Sequence, residues 1–300
     1  MGMMEERNIL KKCSISCFAD EIAPDLETQL ALLEELGIGW VEFRSADGKN
    51  VADYTIEEAE VLRRRLDRSG IRVSALGSPV GKIGILEDFA PHLEKLKTLT
   101  GLAKTLGTSC IRVFSFYLPD TKASGDAANM RPEDYREEVL RRTQAMVDVA
   151  AAEGVVLLHE NEKGIYGDTA ERCLDLMRNF YGEHYKCTFD FANFVQCGQD
   201  TLDAYEMLRP YISYVHVKDA RRDTGTVTPA GEGDGQVADI LRRLDGQGYE
   251  GVLSLEPHLA DFSGLKNLER EAQSRGRTDG AEAFRLAYRA LTGLLRQQSV

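Results

Sequence analysis

Residues 155–168 read VVLLHENEKGIYGD, and they join a short apolar run to a cluster of charge. Four apolar residues, Val155 to Leu158, have the composition of a buried β-strand. They run without a turn into the polar residues 159–163, HENEK. Charged groups are costly beside a buried strand unless something compensates them. The segment therefore indicates a strand that ends in a functional site.

Seven more apolar runs occur along the chain, and amphipathic stretches of helical period separate them. The eight strand candidates are residues 14–18, 39–43, 71–76, 109–114, 155–159, 186–191, 212–217 and 251–256. A strand followed by a helix, eight times in 300 residues, is typical of a closed parallel barrel. The sequence predicts an α/β fold, a single (β/α)8 TIM barrel, with residues 1–300 as one domain. A doubly wound open sheet is the alternative, but no G-x-G-x-x-G follows the first strand candidate.

Polar residues stand at the carboxyl ends of the last four strand candidates, where barrels of this kind place their chemistry. They are Glu160, Asp190, His216 and Glu256. Because side chains alternate along a strand, Leu158 shares a face with Glu160, and His159 points to the other face, toward the helices. Three carboxylates brought together without a cation would repel one another. We therefore expect a metal site, with Mn²⁺ favoured and Mg²⁺, Co²⁺, Fe²⁺ or Zn²⁺ compatible.

The bulk properties limit the partners of the protein. The formal net charge is -12 and the pI is near 5.0, which disfavours binding to nucleic acid. No run approaches the length of a membrane span, and the first residues, MGMMEERNILKK, lack an apolar signal stretch. Six cysteines without a C-x-x-C pair fit reduced thiols. We expect a cytoplasmic protein with a small-molecule partner; a homo-oligomer is left open.

Several motifs together resemble one known family. They include FADEIAPDLETQLALLEELGI, LGSPVGKI, LLHENEKGIYGDT, FDFANF, YVHVKDA, AGEGDGQV and LSLEPHL, and the resemblance covers about residues 12–295. The chain resembles the sugar phosphate isomerase/epimerase proteins with a xylose isomerase-like barrel. The resemblance implies that Glu160, Asp190, His216 and Glu256 hold a divalent metal, and that Glu160 and Glu256 act as acid and base. Ketose 3-epimerase relatives carry a histidine where this chain has Asn193, which departs from that pattern.

This site chemistry suits proton abstraction next to a carbonyl through a metal-bound enediolate. The predicted activity is a metal-dependent epimerase or isomerase of a sugar or keto-sugar. Further polar residues near the strand ends are expected to bind the carbohydrate substrate: Glu42, Arg44, Lys82, Arg112, Glu162, Lys218 and His258. Lys218 and His258 each lie two residues past a predicted ligand, so we expect them to contact substrate rather than metal.

Two other enzyme activities and a non-catalytic role remain as alternatives. The same metal site would support a lyase that cleaves a 3-keto glycoside by β-elimination. An apurinic endonuclease shares the barrel, but it needs many histidines and this chain has five. A non-catalytic binding barrel has no evident need for four intact ligands.

Arg221 and Arg222 lie in the region after strand seven where barrels often bind phosphate, yet Glu232 and Asp234 follow them, which favours a neutral substrate.

Overall fold

The computed structural model describes residues 12–119, 131–260 and 279–297. Eight parallel strands form the barrel: β1 (Ser14–Cys17), β2 (Trp40–Phe43), β3 (Arg72–Val80), β4 (Cys110–Val113), β5 (Val156–Glu160), β6 (Tyr185–Asp190), β7 (Ile212–Val217) and β8 (Val252–Leu255). Each strand from β2 to β7 pairs with the next one in the chain, and β8 pairs with β1. Strand β1 also packs beside β2, so the barrel is nearly closed. The predicted fold class is confirmed.

Nine α-helices are described around this sheet: α1 (Leu26–Leu36), α2 (Ile56–Arg68), α3 (Ala90–Leu106), α4 (Arg136–Glu153), α5 (Ala170–Phe180), α6 (Phe191–Gln196), α7 (Thr201–Leu208), α8 (Val237–Gly246) and α9 (Gly280–Gln297). Short 3-10 turns span Ala19–Glu21, Val51–Asp53, Pro132–Tyr135 and Tyr166–Asp168, and two-residue ribbons pair Ser45–Ala46 with Lys49–Asn50 and Asp219–Ala220 with Val227–Thr228. None of the helices in these ranges is long and apolar enough to cross a membrane.

Local sequence signals set the helix ends. Thr55 and Glu58 form a reciprocal capping box at the start of α2, because each side chain accepts a hydrogen bond from the other residue's backbone N–H. Asp25 caps α1 by accepting from the Thr28 N–H. Gly37 ends the same helix in the left-handed conformation, with a φ of 69°.

The barrel interior changes from apolar to polar along its axis. About midway along the strands, Ala75, Leu158 and Tyr214 form a small buried cluster. Two residues further along β5 and β7, on the same strand faces, lie Glu160 and His216, both almost fully buried. The apolar layer therefore closes the barrel from below, and the polar side chains stand above it at the carboxyl ends of the strands.

Candidate active site

The four residues predicted to bind a metal converge at the carboxyl end of the barrel. Glu160 and Asp190 are the last residues of β5 and β6, His216 lies one residue before the end of β7, and Glu256 follows β8. Each offers one ligand atom, and these atoms all lie within 4.8 Å of one another. All four residues are buried. The strand ends therefore bring three carboxylates and one imidazole to a single point.

His216 is oriented by hydrogen bonding on its far side. Its Nε2 lies 2.9 Å from Oε2 of Glu42, and because a carboxylate accepts, Nε2 carries the proton. Its Nδ1 lies 3.0 Å from Oε1 of Glu160, 3.6 Å from Oε2 of Glu256 and 4.0 Å from Oδ2 of Asp190. Within the described residues this buried Nδ1 has no hydrogen-bond partner. A proton or a metal ion is needed to compensate its lone pair against the carboxylates.

A divalent cation fits this donor set. Three carboxylate oxygens and one imidazole nitrogen suit Mn²⁺ and Mg²⁺, and Zn²⁺, Co²⁺ and Fe²⁺ accept the same ligand types. The pairing of His216 with Glu42 is the arrangement in which a metal-ligating histidine donates its other N–H to a carboxylate. Such a partner fixes the ring and increases its basicity. Glu42, which the sequence analysis places among substrate binders, contacts the back of His216 and the hydroxyl of Ser254.

The pKa values of the cluster show how strongly its charges interact. Burial would raise the pKa of Glu160, but His216 and Arg112 outweigh it and lower this pKa to about 2. Burial raises the pKa of Asp190 to about 7, with Glu160 and Glu256 adding to the increase and Lys218 opposing it. His216 is held protonated, because Glu160 and Glu42 raise its pKa against the effect of burial. Metal binding at this cluster must therefore displace protons.

Two asparagines hold Asp190 in place. The Asn193 N–H donates to Oδ1 of Asp190 at 2.8 Å, so the carboxylate also caps helix α6. The Asn161 side chain exchanges two hydrogen bonds with the Asp190 backbone, at 2.9 and 3.0 Å. Asn193 Nδ2 also donates to Oε1 of Glu160 at 3.3 Å. The position that departs from the ketose 3-epimerase pattern therefore supports two predicted ligands at once.

Lys218 and Arg112 bring positive charge directly to the ligand oxygens. The Lys218 ammonium lies 3.1 Å from Oδ2 of Asp190 and 2.8 Å from Oε2 of Glu256. Nη1 of Arg112 lies 3.2 Å from Oε2 of Glu160 and 3.4 Å from Oε1 of Glu256. Arg112 thus bridges the two glutamates that the sequence analysis assigns as acid and base.

Arg44 forms the centre of a second buried network beside Glu256. It donates to both oxygens of Asp20 at 2.8 and 3.0 Å, to Oε1 of Glu21 at 3.1 Å and to Oε1 of Glu256 at 3.1 Å. Its guanidinium also stacks on the Phe18 ring, with a distance of 4.3 Å to the ring centre. Three carboxylates share this one cation, so Arg44 links the turn after β1 to the end of β8.

His258 completes the wall next to Glu256. Its backbone has a φ of 47°, which is uncommon outside glycine, and its N–H donates to Oε2 of Glu21 at 2.7 Å. Its Nε2 lies 3.4 Å from Oε1 of Glu21 and 3.5 Å from Oε1 of Glu256. The strained backbone and the Glu21 contact together turn the imidazole toward Glu256.

Lys82 and Glu162 pair with each other at the edge of the site. Their ammonium and carboxylate are 2.9 Å apart, and Nζ of Lys82 lies 4.4 Å from the centre of the Phe114 ring. The structure thus brings every predicted site residue into one cluster. Asp20, Phe18 and Asn161 also belong to it and were missed, although FADEI and HENEK contain all three.

The chain matches one known protein family over most of its length. The family model of the xylose isomerase-like TIM barrels matches residues 30–278, most of the chain. The chain belongs to this family. The resemblance drawn from the sequence motifs is therefore confirmed at the level of the family.

Individual relatives carry different activities. A 3-dehydroshikimate dehydratase from Bacillus anthracis is 27% identical over 136 residues, 45% of this chain and 46% of that protein. The chain therefore spans about half the length of this curated relative. A solved 3-keto-D-glucoside 4-epimerase from E. coli superposes with a TM-score of 0.66 at 17% identity, covering 94% of this chain and 98% of the other. The IOLI protein, solved with a zinc atom, superposes with a TM-score of 0.72 at 14% identity, covering 95% and 99%.

Proposed function

We propose that the protein is a divalent-metal-dependent epimerase or isomerase of a sugar or keto-sugar. The observation that carries the proposal is the position of Glu160 and Glu256 in the ligand cluster. Each presents one oxygen to Nδ1 of His216 and the other oxygen to Nη1 of Arg112. In this proposal, the oxygen of each glutamate that faces His216 would bind the metal, and the oxygen beside Arg112 would exchange the proton with the substrate.

The chain's own residues divide the work of moving the proton. A divalent cation, when bound, polarises a substrate carbonyl and stabilises the negative charge that develops there. Glu160 is ionised at neutral pH, because His216 and Arg112 hold its pKa at about 2 despite burial. Lys218 and His258 also lower the pKa of Glu256, against its burial. Both carboxylates are therefore in the form that accepts a proton from carbon.

Apart from the His216 imidazole, which faces both glutamates, the proton donors described beside this pair lie next to Glu256. The Lys218 ammonium is 2.8 Å from Oε2 of Glu256, and Nε2 of His258 is 3.5 Å from its Oε1. Glu160 instead contacts Arg112, which does not release a proton, and the side-chain amide of Asn193. We assign proton abstraction to Glu160 and proton return to Glu256 in one direction of the reaction, with the roles exchanged in the other.

Elimination is the second candidate. The curated relative is a dehydratase, and the loss of a group β to the carbanion uses the same first proton abstraction. A 3-keto glycoside would then lose its aglycone in place of undergoing inversion. The two reactions would use the same residues and would differ only in what happens to the carbanion.

The test is proton NMR in D₂O with Mn²⁺-loaded protein and a panel of ketoses and 3-keto glycosides. Epimerisation or isomerisation predicts deuterium at the reacting carbon of the product, and elimination predicts release of the aglycone. Protein stripped of metal is the control and should be inactive. Equal turnover with and without metal would contradict the proposal.

A further inference from the structure

We infer that the substrate is uncharged at the groups that this site binds, with neither a phosphate nor a carboxylate. The inference rests on the proposed function, because it concerns the substrate of the same site. It is carried by a loop outside the metal cluster and by the charge balance within the cluster.

The loop after β7 forms an anion-binding cradle, and the chain's own carboxylate fills it. Oδ1 of Asp219 accepts from the N–H groups of Ala220 and Gly235, both at 2.8 Å. Its Oδ2 accepts from those of Gly231 and Gly233, both at 3.0 Å. The carboxylate is fully buried. Four backbone donors therefore converge on one internal anion.

The glycines of the motif AGEGDGQ are explained by this cradle. A Cβ placed on Gly235 would come within 2.6 Å of Oδ1 of Asp219, and one on Gly233 would overlap the same oxygen. Only glycine lets the backbone approach the carboxylate so closely. Convergent backbone N–H groups in a glycine-rich loop are how proteins bind phosphate, and barrels often do so after strands seven and eight. Here Asp219 occupies those donors.

The guanidinium of Arg222, in the same loop, is bonded to backbone carbonyls of the chain itself. Arg222 is exposed, and its guanidinium donates to the backbone carbonyls of Gly198 and Gln199, at 3.2 and 3.0 Å. Its backbone N–H donates to Asp234 at 2.7 Å. Arg222 therefore ties this loop to the segment after α6, and its guanidinium is held by the chain's own carbonyl groups.

Inside the site, each described lysine and arginine already contacts a carboxylate. The cations are Arg44, Lys82, Arg112 and Lys218, and the anions are Asp20, Glu21, Glu42, Glu160, Glu162, Asp190 and Glu256. The carboxylates outnumber these cations even with the His258 imidazole, which faces Glu21 and Glu256, added to them. A divalent metal ion that displaces the proton of His216 brings the two signs close to balance. An anionic substrate would add uncompensated negative charge to a buried site, at a cost in binding.

An uncharged polyol avoids this cost and suits the donors present. Hydroxyl groups donate to carboxylates and accept from ammonium and guanidinium groups, so they match both signs of charge in the site. Negative charge then arises only as the proton leaves the carbon. The site's cations stabilise this charge more in the transition state than in the ground state.

The experiment compares matched ligands on Mn²⁺-loaded wild-type protein. The ligands are methyl 3-keto-glucoside, the corresponding uronic acid and the corresponding 6-phosphate, with affinity measured by calorimetry and exchange followed by NMR in D₂O. The neutral glycoside should bind at least about 10-fold more tightly than either charged analogue. Equal or tighter binding of a charged analogue would overturn the inference. Neutral binding without exchange would instead contradict the proposed function and leave this inference standing.

A second measurement tests the cradle with inorganic phosphate alone. Phosphate should leave the Tm of the wild-type protein unchanged, and it should raise the Tm of an Asp219→Ser variant in which the four N–H groups are released. Asp223→Ser, at an exposed position of the same loop, is the matched control and should not respond. Saturable stabilisation of the wild type by phosphate would overturn the inference, whether or not the Asp219 variant folds.

Discussion

His216 donates from Nε2 to Oε2 of Glu42 at 2.9 Å, and this bond joins β7 to β2 across the barrel interior. It leaves Nδ1 directed at the three carboxylates. The orientation of the imidazole is therefore decided by a residue from the opposite side of the barrel. A second hydrogen bond, from Ser254 to the same Glu42 oxygen at 2.9 Å, keeps that carboxylate in position.

Replacing this carboxylate should weaken metal binding. A Glu42→Gln variant keeps the size of the side chain but removes the charge that makes the imidazole a stronger ligand. We expect the metal affinity to fall about 10- to 100-fold, measured by competition with a chromophoric chelator. Ser254→Ala is the matched control, because it removes a bond to Glu42 and leaves the bond to His216. An unchanged affinity in Glu42→Gln would show that Glu42 does not support the ligand.

Loss of two ligands should empty the site. A variant with both His216→Ala and Asp190→Ala retains only two of the four predicted ligands, so purified protein should lose nearly all of its divalent metal. Elemental analysis against wild type measures this. The control is His184→Ala, a partly exposed histidine whose Nδ1 donates to the backbone carbonyl of Val155, far from the cluster. Metal content that is equal in the double variant and in wild type would refute the site.

Lys218 should serve the substrate and not the metal. Its ammonium contacts two predicted ligand carboxylates, so Lys218→Met removes positive charge next to the cation and should leave metal affinity the same or tighter. The catalytic efficiency, kcat/KM, should fall about 10- to 100-fold, since a hydrogen bond to a charged group contributes about 1.5–3 kcal/mol. Lys163→Met is the control, because Lys163 bonds to Gln196 at the rim. Metal loss in Lys218→Met would make Lys218 a support of the ligand set.

The fold could be predicted because its signals are local. Each barrel strand is a short apolar run, and the predicted and observed strands overlap throughout. The convergence of the ligands also follows from the sequence, since Leu158 with Glu160, and Tyr214 with His216, share strand faces that point into one barrel. Strand β3 is the largest difference: it continues to Val80, so part of the LGSPVGKI motif is strand.

Contacts between distant strands could not be predicted in this way. The pairing of Glu42 with His216 depends on the barrel's diameter and on side-chain rotamers, neither of which periodicity contains. Asn161 was missed because it lies between two predicted site residues on the opposite strand face, and it acts on the Asp190 backbone. The hydrogen bonds of Asp219 could not be predicted for a similar reason, because its backbone partners lie up to 16 residues away, within a loop.

The acid stability of the protein should depend on His92. Its Nε2 accepts from the Gly81 N–H at 2.5 Å, next to Lys82. Burial, with Lys95 and Arg142 nearby, lowers the pKa of His92 to about 4. The unfolded chain therefore binds a proton between about pH 6.5 and 4 that the folded chain does not. This contribution to stability is complete above about pH 6.5 and is lost progressively as the pH falls from about 6.5 to about 4.

A His92→Gln variant tests this dependence, because its amide oxygen still accepts from Gly81 and does not titrate. Urea unfolding at intervals from pH 7 to 4 should show a smaller loss of stability than in wild type. His159, whose pKa burial also lowers to about 4, remains in the variant and keeps part of the slope. His184→Gln is the control. Identical slopes in wild type and His92→Gln would contradict this prediction, because they would mean that His92 is protonated to the same extent in the folded and unfolded chains.

The chemical step should require the carboxylate of Glu256 and not only its place among the ligands. Gln at this position keeps the shape and one oxygen that can bind the metal, but it cannot carry the proton. We expect kcat to fall at least about 10²-fold, while metal content is retained. Because Glu160 remains intact, the variant should still exchange the substrate's proton for deuterium in D₂O without inverting the carbon. Proton NMR of substrate and product measures both events in one sample.

The matched variant, Glu160→Gln, separates the two roles. If Glu160 abstracts the proton in this direction, its variant should show neither exchange nor product, in contrast to the exchange retained by Glu256→Gln. Starting from the opposite epimer should reverse the two patterns, since the glutamates then exchange roles. Wild-type turnover in the Glu256→Gln protein would leave Glu256 as a metal ligand alone. The proton returned to carbon would then have to come from Lys218 or His258, which lie beside that carboxylate and, unlike the arginines, can release a proton.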